Sequence, residues 1–194
     1  MEKGSLLARA VAYAAEAHIG QFRKGTQLPY IVHPMEVAAI CGTMTEDEEV
    51  LAAAVLHDTI EDTPATKEDL EDRFGPRVTE LVLSQSENKR EGQPATATWK
   101  VRKEESIEHI RSTDDVQAKM LCLSDKLSNI RSVYRDLERD GDPFWNKFHQ
   151  NDPVEQSWYY LTIAEMLEPD LGDTFAWQEF NRTVHAVFDR YLKK

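Results

Sequence analysis

Apolar positions along this chain recur at intervals of three and four, the spacing that lines one face of a helix, and no run longer than a few residues alternates as a strand would. Leu6, Leu7, Ala10, Val11, Ala14 and Ala17 predict an amphipathic helix over residues 5–18. Pro34 suits a first helical turn and opens a second helix running to about Cys41. Thr45 with Glu48 three residues on reads as a capping box for a third helix carrying LAAAVLHD. Thr66 with Asp69 repeats the device for a short helix that stops before Gly75, and RVTELVLSQS forms the next.

The pattern breaks between Ser84 and Thr98, where SENKREGQPATAT is polar and contains Gly92 and Pro94, the composition of a loop. Helical spacing returns from about Trp99 to Ile110 and again from Asp114 to about Glu138, with Met120, Leu121, Leu123, Leu127 and Ile130 on the apolar side. DGDP at 140–143 ends that helix, and two more follow at about 153–167 and 173–191. No internal repeat is present. The expectation is an all-α chain forming a single domain over 1–194, with its core in 5–138 and the helices of 153–191 completing it.

Composition narrows the function classes. Hydrophobic residues make up 41% and charged ones 30%, as in ordinary globular proteins, and 23 Lys and Arg against 35 Asp and Glu leave a formal charge of −12. Without a basic face, neither nucleic acid nor an anionic membrane is an expected partner. No apolar run approaches the ~18 residues of a membrane span, and the N-terminal stretch has neither the apolar core nor the cleavage site of a signal peptide. Cys41 and Cys122 sit in apolar surroundings without disulfide or zinc spacing. A reducing compartment, the cytoplasm, is expected.

Three stretches carry candidate chemistry. AAAVLHDTIEDT, residues 52–63, runs from buried-type residues into His57, Asp58, Glu61 and Asp62. Like charges so close repel, and a divalent cation held by imidazole and carboxylate would relieve them. On a helix His57 and Glu61 share one face, as do Asp58 and Asp62, and Pro64 ends the helix just beyond. In GQFRKG and PYIVHP, Arg23 and Lys24 stand beside a glycine and suit a phosphate, while His33 directly precedes a helix start. In LCLSDKLSNIRS, Asp125 lies among Leu121, Leu123 and Leu127, where a carboxylate needs a cation or donors, with Asn129 one turn further on. His18, His109, His149 and His185 fall in no ligand pattern, although His18 could support a ligand from behind.

The strings AHIGQFRKGTQLPYIVHPMEVAAI, LAAAVLHDTIEDTPATKEDLEDRFGPRVTELV and LCLSDKLSNIRSV, in that order over roughly residues 8–135, resemble the HD-superfamily metal phosphohydrolases and, within them, the RelA/SpoT-type alarmone hydrolases. The resemblance implies a helical HD bundle around one divalent ion, usually Mn²⁺. It implies His33, His57, Asp58 and Asp125 as metal ligands and Glu61 and Asp62 as the pair that positions and deprotonates the attacking water. It further implies Arg23 and Lys24 as contacts to the nucleotide and its phosphates, Asn129 and Ser132 as lining of the nucleotide pocket, and Tyr159 as a residue of a closing helix. The activity it implies is removal of the 3′-pyrophosphate of ppGpp or pppGpp, leaving GDP or GTP. The chain is too short for the synthetase and regulatory domains of the long bifunctional members.

Two other readings share this metal site or this fold: a phosphohydrolase for another nucleotide, such as ppApp, NADPH or a nucleoside phosphate, and a non-catalytic alarmone-binding module. The basic residues of 99–104, with Lys89 and Arg90 before them, read either as a lid over the distal phosphates or as a solvated helix face. The aromatic residues after 140 fit a core or a dimer face better than a base-stacking wall. Monomer and homodimer both remain open.

Overall fold

The computed structural model describes residues 5–88, 90 and 92–192; Lys89, one of the basic residues assigned to the lid reading, lies outside them. Regular structure among the described residues is helical throughout, as the spacing predicts, with one isolated β-bridge between Phe22 and Pro29. The helices are α1 (Leu6–Ala17), α2 (Val32–Cys41), α3 (Glu48–Leu56), α4 (Thr59–Asp62), α5 (Lys67–Phe74), α6 (Pro76–Leu83), α7 (Ala95–Ser112), α8 (Val116–Asp140), α9 (Pro153–Leu171) and α10 (Phe175–Leu192). A short 3-10 helix, Asp142–Lys147, follows α8 where DGDP predicts a break.

The chain divides into two compact units. The first comprises the chain up to Ser86 together with Gln117–Asp125; the second comprises Glu87–Val116 and the chain from Lys126 onward. In the first unit α3 is the central element. Val50 and Ala52 through Leu56 are buried on every side, and α1, α2 and α6 pack around them. A helix of small apolar residues with no polar stripe can only sit inside, and alanines let its neighbours approach closely. Leu70, Phe74, Val78, Leu81 and Val82 from α5 and α6 close this core, with Ala118 and Leu121 from the first half of α8.

In the second unit α9 packs against both α7 and α10. Trp145 donates its indole N–H to Tyr191 and stacks on Phe188, and the Trp177 indole donates to the Ala164 carbonyl at 2.9 Å. Phe180, Phe188, Ile163 and Leu167 are fully buried. Trp145, Phe180 and Phe188 are therefore core, whereas Trp177 and Tyr191 are half-buried and Phe175 is exposed.

Several helix ends differ from the spacing-based expectation. The second helix begins at Val32, so Pro34 is its third residue and His33 its second. Thr45 does not cap α3: Asp47 does, accepting from the Glu49 N–H, while Thr45 accepts from the Asp47 N–H and Glu48 accepts from the Leu7 N–H. An aspartate two residues later outcompetes the threonine because a charged acceptor makes the stronger cap. The Thr66–Asp69 capping box is present as expected. The helix predicted from Trp99 begins four residues earlier, directly after Pro94, and α9 runs four residues past 167 with Pro169 inside its last turn.

Candidate metal centre

The helix carrying LAAAVLHD does not continue through the acidic residues. It ends at Leu56, His57 keeps helical angles, Asp58 relaxes to φ −95°, ψ −3°, and the one-turn helix α4 restarts at Thr59. Thr59 helps to make the break, its hydroxyl donating to the Leu56 carbonyl at 2.7 Å. The break turns the adjacent imidazole and carboxylate toward one point, which consecutive residues of a straight helix cannot do.

His57 and His33 are both buried, and their rings meet edge to face with centroids 5.2 Å apart. His57 donates Nδ1–H to the Ala54 carbonyl at 2.9 Å, which leaves Nε2 facing the carboxylates. That nitrogen stands 3.0 Å from Asp58 Oδ2 and 3.7 Å from Asp125 Oδ1; His33 Nε2 stands 3.2 Å from Asp125 Oδ1 and 3.6 Å from Asp58 Oδ2. Two imidazole nitrogens and two carboxylate oxygens thus surround a common point.

Donor atoms each about 2.0–2.2 Å from one first-row ion lie roughly 3.0–3.6 Å from one another in octahedral or tetrahedral arrangements, and the four nitrogen–oxygen separations here, 3.0, 3.2, 3.6 and 3.7 Å, are close to that. His57 Nε2 is buried and makes no well-formed hydrogen bond among the described residues, as expected of a nitrogen whose lone pair is meant for a cation. His33, His57 and Asp58 can each offer one donor atom to a shared ion, and Asp125 completes a set of nitrogen and oxygen donors suited to a divalent metal.

The electrostatics point the same way. Burial opposes charge on His57, but Asp58 and Asp125 outweigh it and hold the imidazole's pKa well above its ordinary value. Burial likewise opposes charge on Asp58, and His57 outweighs it, so the carboxyl lies well below its usual range. Burial dominates at His33 and pushes its pKa down. A divalent cation among these four groups would neutralise the same carboxylate charge.

Glu61 and Asp62 occupy α4, three and four residues beyond Asp58, and both are half-buried. Arg23 and Lys24 lie on a hairpin whose base is tied by Tyr30 N–H to the Gln21 carbonyl and by Arg23 N–H to the Leu28 carbonyl. Arg23 is half-buried with its guanidinium 5.7 Å from the Tyr30 ring centre, and Lys24 is exposed.

Two residues absent from the sequence reading reach this centre. Tyr30 donates its hydroxyl to Asp58 Oδ2 at 2.7 Å and stands 3.4 Å from Asp62 Oδ2; burial first, and then the nearby Asp58, push the phenol's pKa far up, so it remains a donor. Gln21 donates to the Asp62 carbonyl at 2.7 Å and accepts from His18 Nδ1 at 2.8 Å, so the bond from His18 leads to the turn of Asp62 and not to one of the four donors. The only signal in the sequence is adjacency, Gln21 to Arg23 and Tyr30 to His33.

Asn129, Ser132 and Tyr159 belong to the second unit. Asn129 and Ser132 are half-buried on α8, and Ser132 accepts from Arg135 at 3.3 Å. Tyr159 is buried, with Lys103 Nζ 4.9 Å and Lys126 Nζ 5.8 Å from its ring centre. The cations of 99–104 are paired within this unit: Arg102 and Lys103 with Glu87 at 3.1 and 2.5 Å, and Lys100 with Glu155 at 2.8 Å. Arg90 pairs with Glu105.

Comparison with known proteins converges on the same stretch. The HD domain family model matches residues 10–149. The chain is 37% identical over 139 residues to a guanosine-3′,5′-bis(diphosphate) 3′-pyrophosphohydrolase of Aquifex aeolicus, covering 68% of this chain and 18% of that one. It is 38% identical over 132 residues to the bifunctional (p)ppGpp synthase/hydrolase SpoT of Escherichia coli K12, covering 66% of this chain and 18% of that one. A GTP pyrophosphokinase of Myxococcus xanthus is 35% identical over 130 residues, 66% of this chain and 17% of its own length. The chain therefore spans less than a fifth of these curated relatives.

Solved structures match over most or all of the chain. A metazoan ortholog of SpoT that hydrolyzes ppGpp superposes with a TM-score of 0.75 at 28% identity, covering 100% of this chain and 99% of its own. A Listeria monocytogenes protein superposes with a TM-score of 0.70 at 34% identity, covering 83% and 96%. With the histidine–aspartate pair at the α3–α4 break converging on His33 and Asp125, and the family model spanning those residues up to 149, the chain belongs to the HD domain family.

Proposed function

We propose that this protein is a metal-dependent hydrolase that removes the 3′-pyrophosphate of (p)ppGpp, working in the cytoplasm on a free nucleotide. The observation that carries the reading is the convergence of His33, His57, Asp58 and Asp125 on one point while the next turn of chain presents Glu61 and Asp62. The substrate follows from the relatives: a guanosine-3′,5′-bis(diphosphate) 3′-pyrophosphohydrolase among the curated ones, and a ppGpp-hydrolyzing SpoT ortholog among the structures that match from end to end.

His33, His57, Asp58 and Asp125 would hold a divalent ion, Mn²⁺ in this reading. Bound there, it would supply Lewis acidity toward a phosphoryl oxygen and a lower pKa for the attacking water. Glu61 and Asp62 orient that water and take its proton as it adds to phosphorus. The bond between phosphorus and the ribose 3′ oxygen breaks, the oxygen leaves with a proton as the 3′-hydroxyl of GDP or GTP, and pyrophosphate departs. Arg23 and Lys24 offset the repulsion that a chain of charge −12 presents to a polyanion. Asn129, Ser132 and Tyr159, the nucleoside contacts that the family resemblance implies, belong to the second unit.

The test is product release from ppGpp, pppGpp, ppApp, GTP and NADPH by metal-stripped protein resupplied with Mn²⁺, beside a His57→Ala control. Pyrophosphate from ppGpp, absent in the control, is the expected result. Release from a different nucleotide alone would discard the substrate, and silence across the panel with nucleotide still bound would discard catalysis.

A further inference from the structure

Tyr30 occupies an unusual position. Its ring lies between His18, 4.9 Å away by ring centres, and His33, 5.8 Å away, with the Arg23 guanidinium on the ring at 5.7 Å. Its hydroxyl crosses from the base of the hairpin to the α3–α4 break, where it meets Asp58 Oδ2 at 2.7 Å and Asp62 Oδ2 at 3.4 Å. The Asp58 oxygen it meets is the one facing both imidazole nitrogens.

A carboxylate oxygen has two lone pairs. If Tyr30 takes one, the carboxyl group can no longer rotate about its bond to Cβ, and the second lone pair is fixed toward the point shared by His33 and His57. Gln21 secures the neighbouring turn by its bond to the Asp62 carbonyl, so the two residues at the base of the hairpin brace α4 from both ends.

We propose that Tyr30 is a positioning residue of the metal centre: its hydroxyl orients Asp58 for the ion and limits the swing of Asp62 beside it. This rests on the metal-site reading above. A residue that merely fills space would contribute through its ring, whereas this role resides in one O–H bond. Outer partners of metal ligands typically control affinity by about 10–100-fold.

The experiment is a calorimetric Mn²⁺ titration of the metal-stripped full chain, comparing wild type with Tyr30→Phe. The expected result is a 10–100-fold weaker dissociation constant for the variant, about the loss of one outer partner. A second pair at position 30 separates bond from packing: 4-aminophenylalanine, which keeps a donor at the ring's far end, and 4-methylphenylalanine, which fills the same space without one. The amino chain should bind Mn²⁺ near the wild-type affinity and the methyl chain should not. The Co²⁺-loaded proteins give an independent reading, with the visible absorption bands of the methyl chain shifted from those of wild type and the amino chain. Equal affinities and spectra for all folded variants would overturn the role, as would equal weakening of both ring derivatives. Wild type that takes up no divalent ion would instead overturn the metal-site reading on which the role depends.

Discussion

Asp125 is a carboxylate on a helix rich in leucine, with Leu121, Leu123 and Leu127 all buried around it. Such a group needs partners, and His33 and His57 stand 3.2 and 3.7 Å from its Oδ1. Asp125→Asn keeps the shape and removes the charge, so Mn²⁺ affinity should fall by more than the ~10–100-fold that follows loss of an outer partner; a titration equal to wild type would remove Asp125 from the ligand set. Glu61 and Asp62 call for the opposite outcome. With Glu61→Gln and Asp62→Asn combined, Mn²⁺ and nucleotide should bind as before while single-turnover hydrolysis slows by ~10²-fold or more, the usual scale of lost acid–base catalysis. Undiminished turnover would end that assignment. His33, His57, Asp58 and Asp125 are named as a set through the family resemblance, while residue chemistry alone marks only the acidic crowding after His57 and the Asp125 carboxylate among leucines as wanting a cation or donors. Neither singles out Tyr30, since its meaning is a hydrogen bond across 28 positions of chain and a tyrosine before a helix has many ordinary explanations.

At the scale of elements, spacing identified the helices but not the break that makes the site. The apolar spacing is compatible with a continuous helix through His57, yet α3 ends at Leu56, whose carbonyl accepts from the Thr59 hydroxyl. Caps were legible in part: Thr66–Asp69 is a local device present as expected, whereas Thr45 lost to Asp47, the charged acceptor two residues on. The join of α5 to α6 gives a clean test of backbone conformation. Gly75 is at once the end of α5 and the start of α6, at φ +88°, ψ 168°, with open space where a Cβ would project. Gly75→Ala therefore meets no clash and isolates the strain of a region almost confined to glycine. Urea denaturation should register a loss of about 1–3 kcal/mol, while Mn²⁺ affinity stays within a factor of two or so, since the join carries none of the four donor atoms. A stability equal to wild type would mean that the turn relaxes freely.

At the scale of the whole molecule, the four donors come from three separate parts of the first unit: α2, the α3–α4 break, and the segment of α8 from Gln117 to Asp125. Sequence separates the first donor from the last by most of a hundred positions, so an unfolded chain does not hold them together, and an ion that binds the folded arrangement must stabilise it. The size follows from mass action: with free Mn²⁺ at about a hundred times its dissociation constant, the gain is about 2.7 kcal/mol, reduced by whatever affinity the unfolded chain retains. Stripping the metal with EDTA should therefore lower the melting temperature by several degrees, and resupply should restore it in proportion to the logarithm of the free ion. Hydrogen exchange locates the effect: amides of Val32–Cys41, Glu48–Asp62 and Gln117–Asp125 should gain protection as Mn²⁺ is added, because each segment contributes at least one donor. His57→Ala removes one donor and should show neither the shift nor the protection, which distinguishes binding at this centre from ions collected by the acidic surface. A melting temperature that ignores Mn²⁺ in the wild-type chain would mean that the converging side chains form a closed network of their own, with no place in it for an ion.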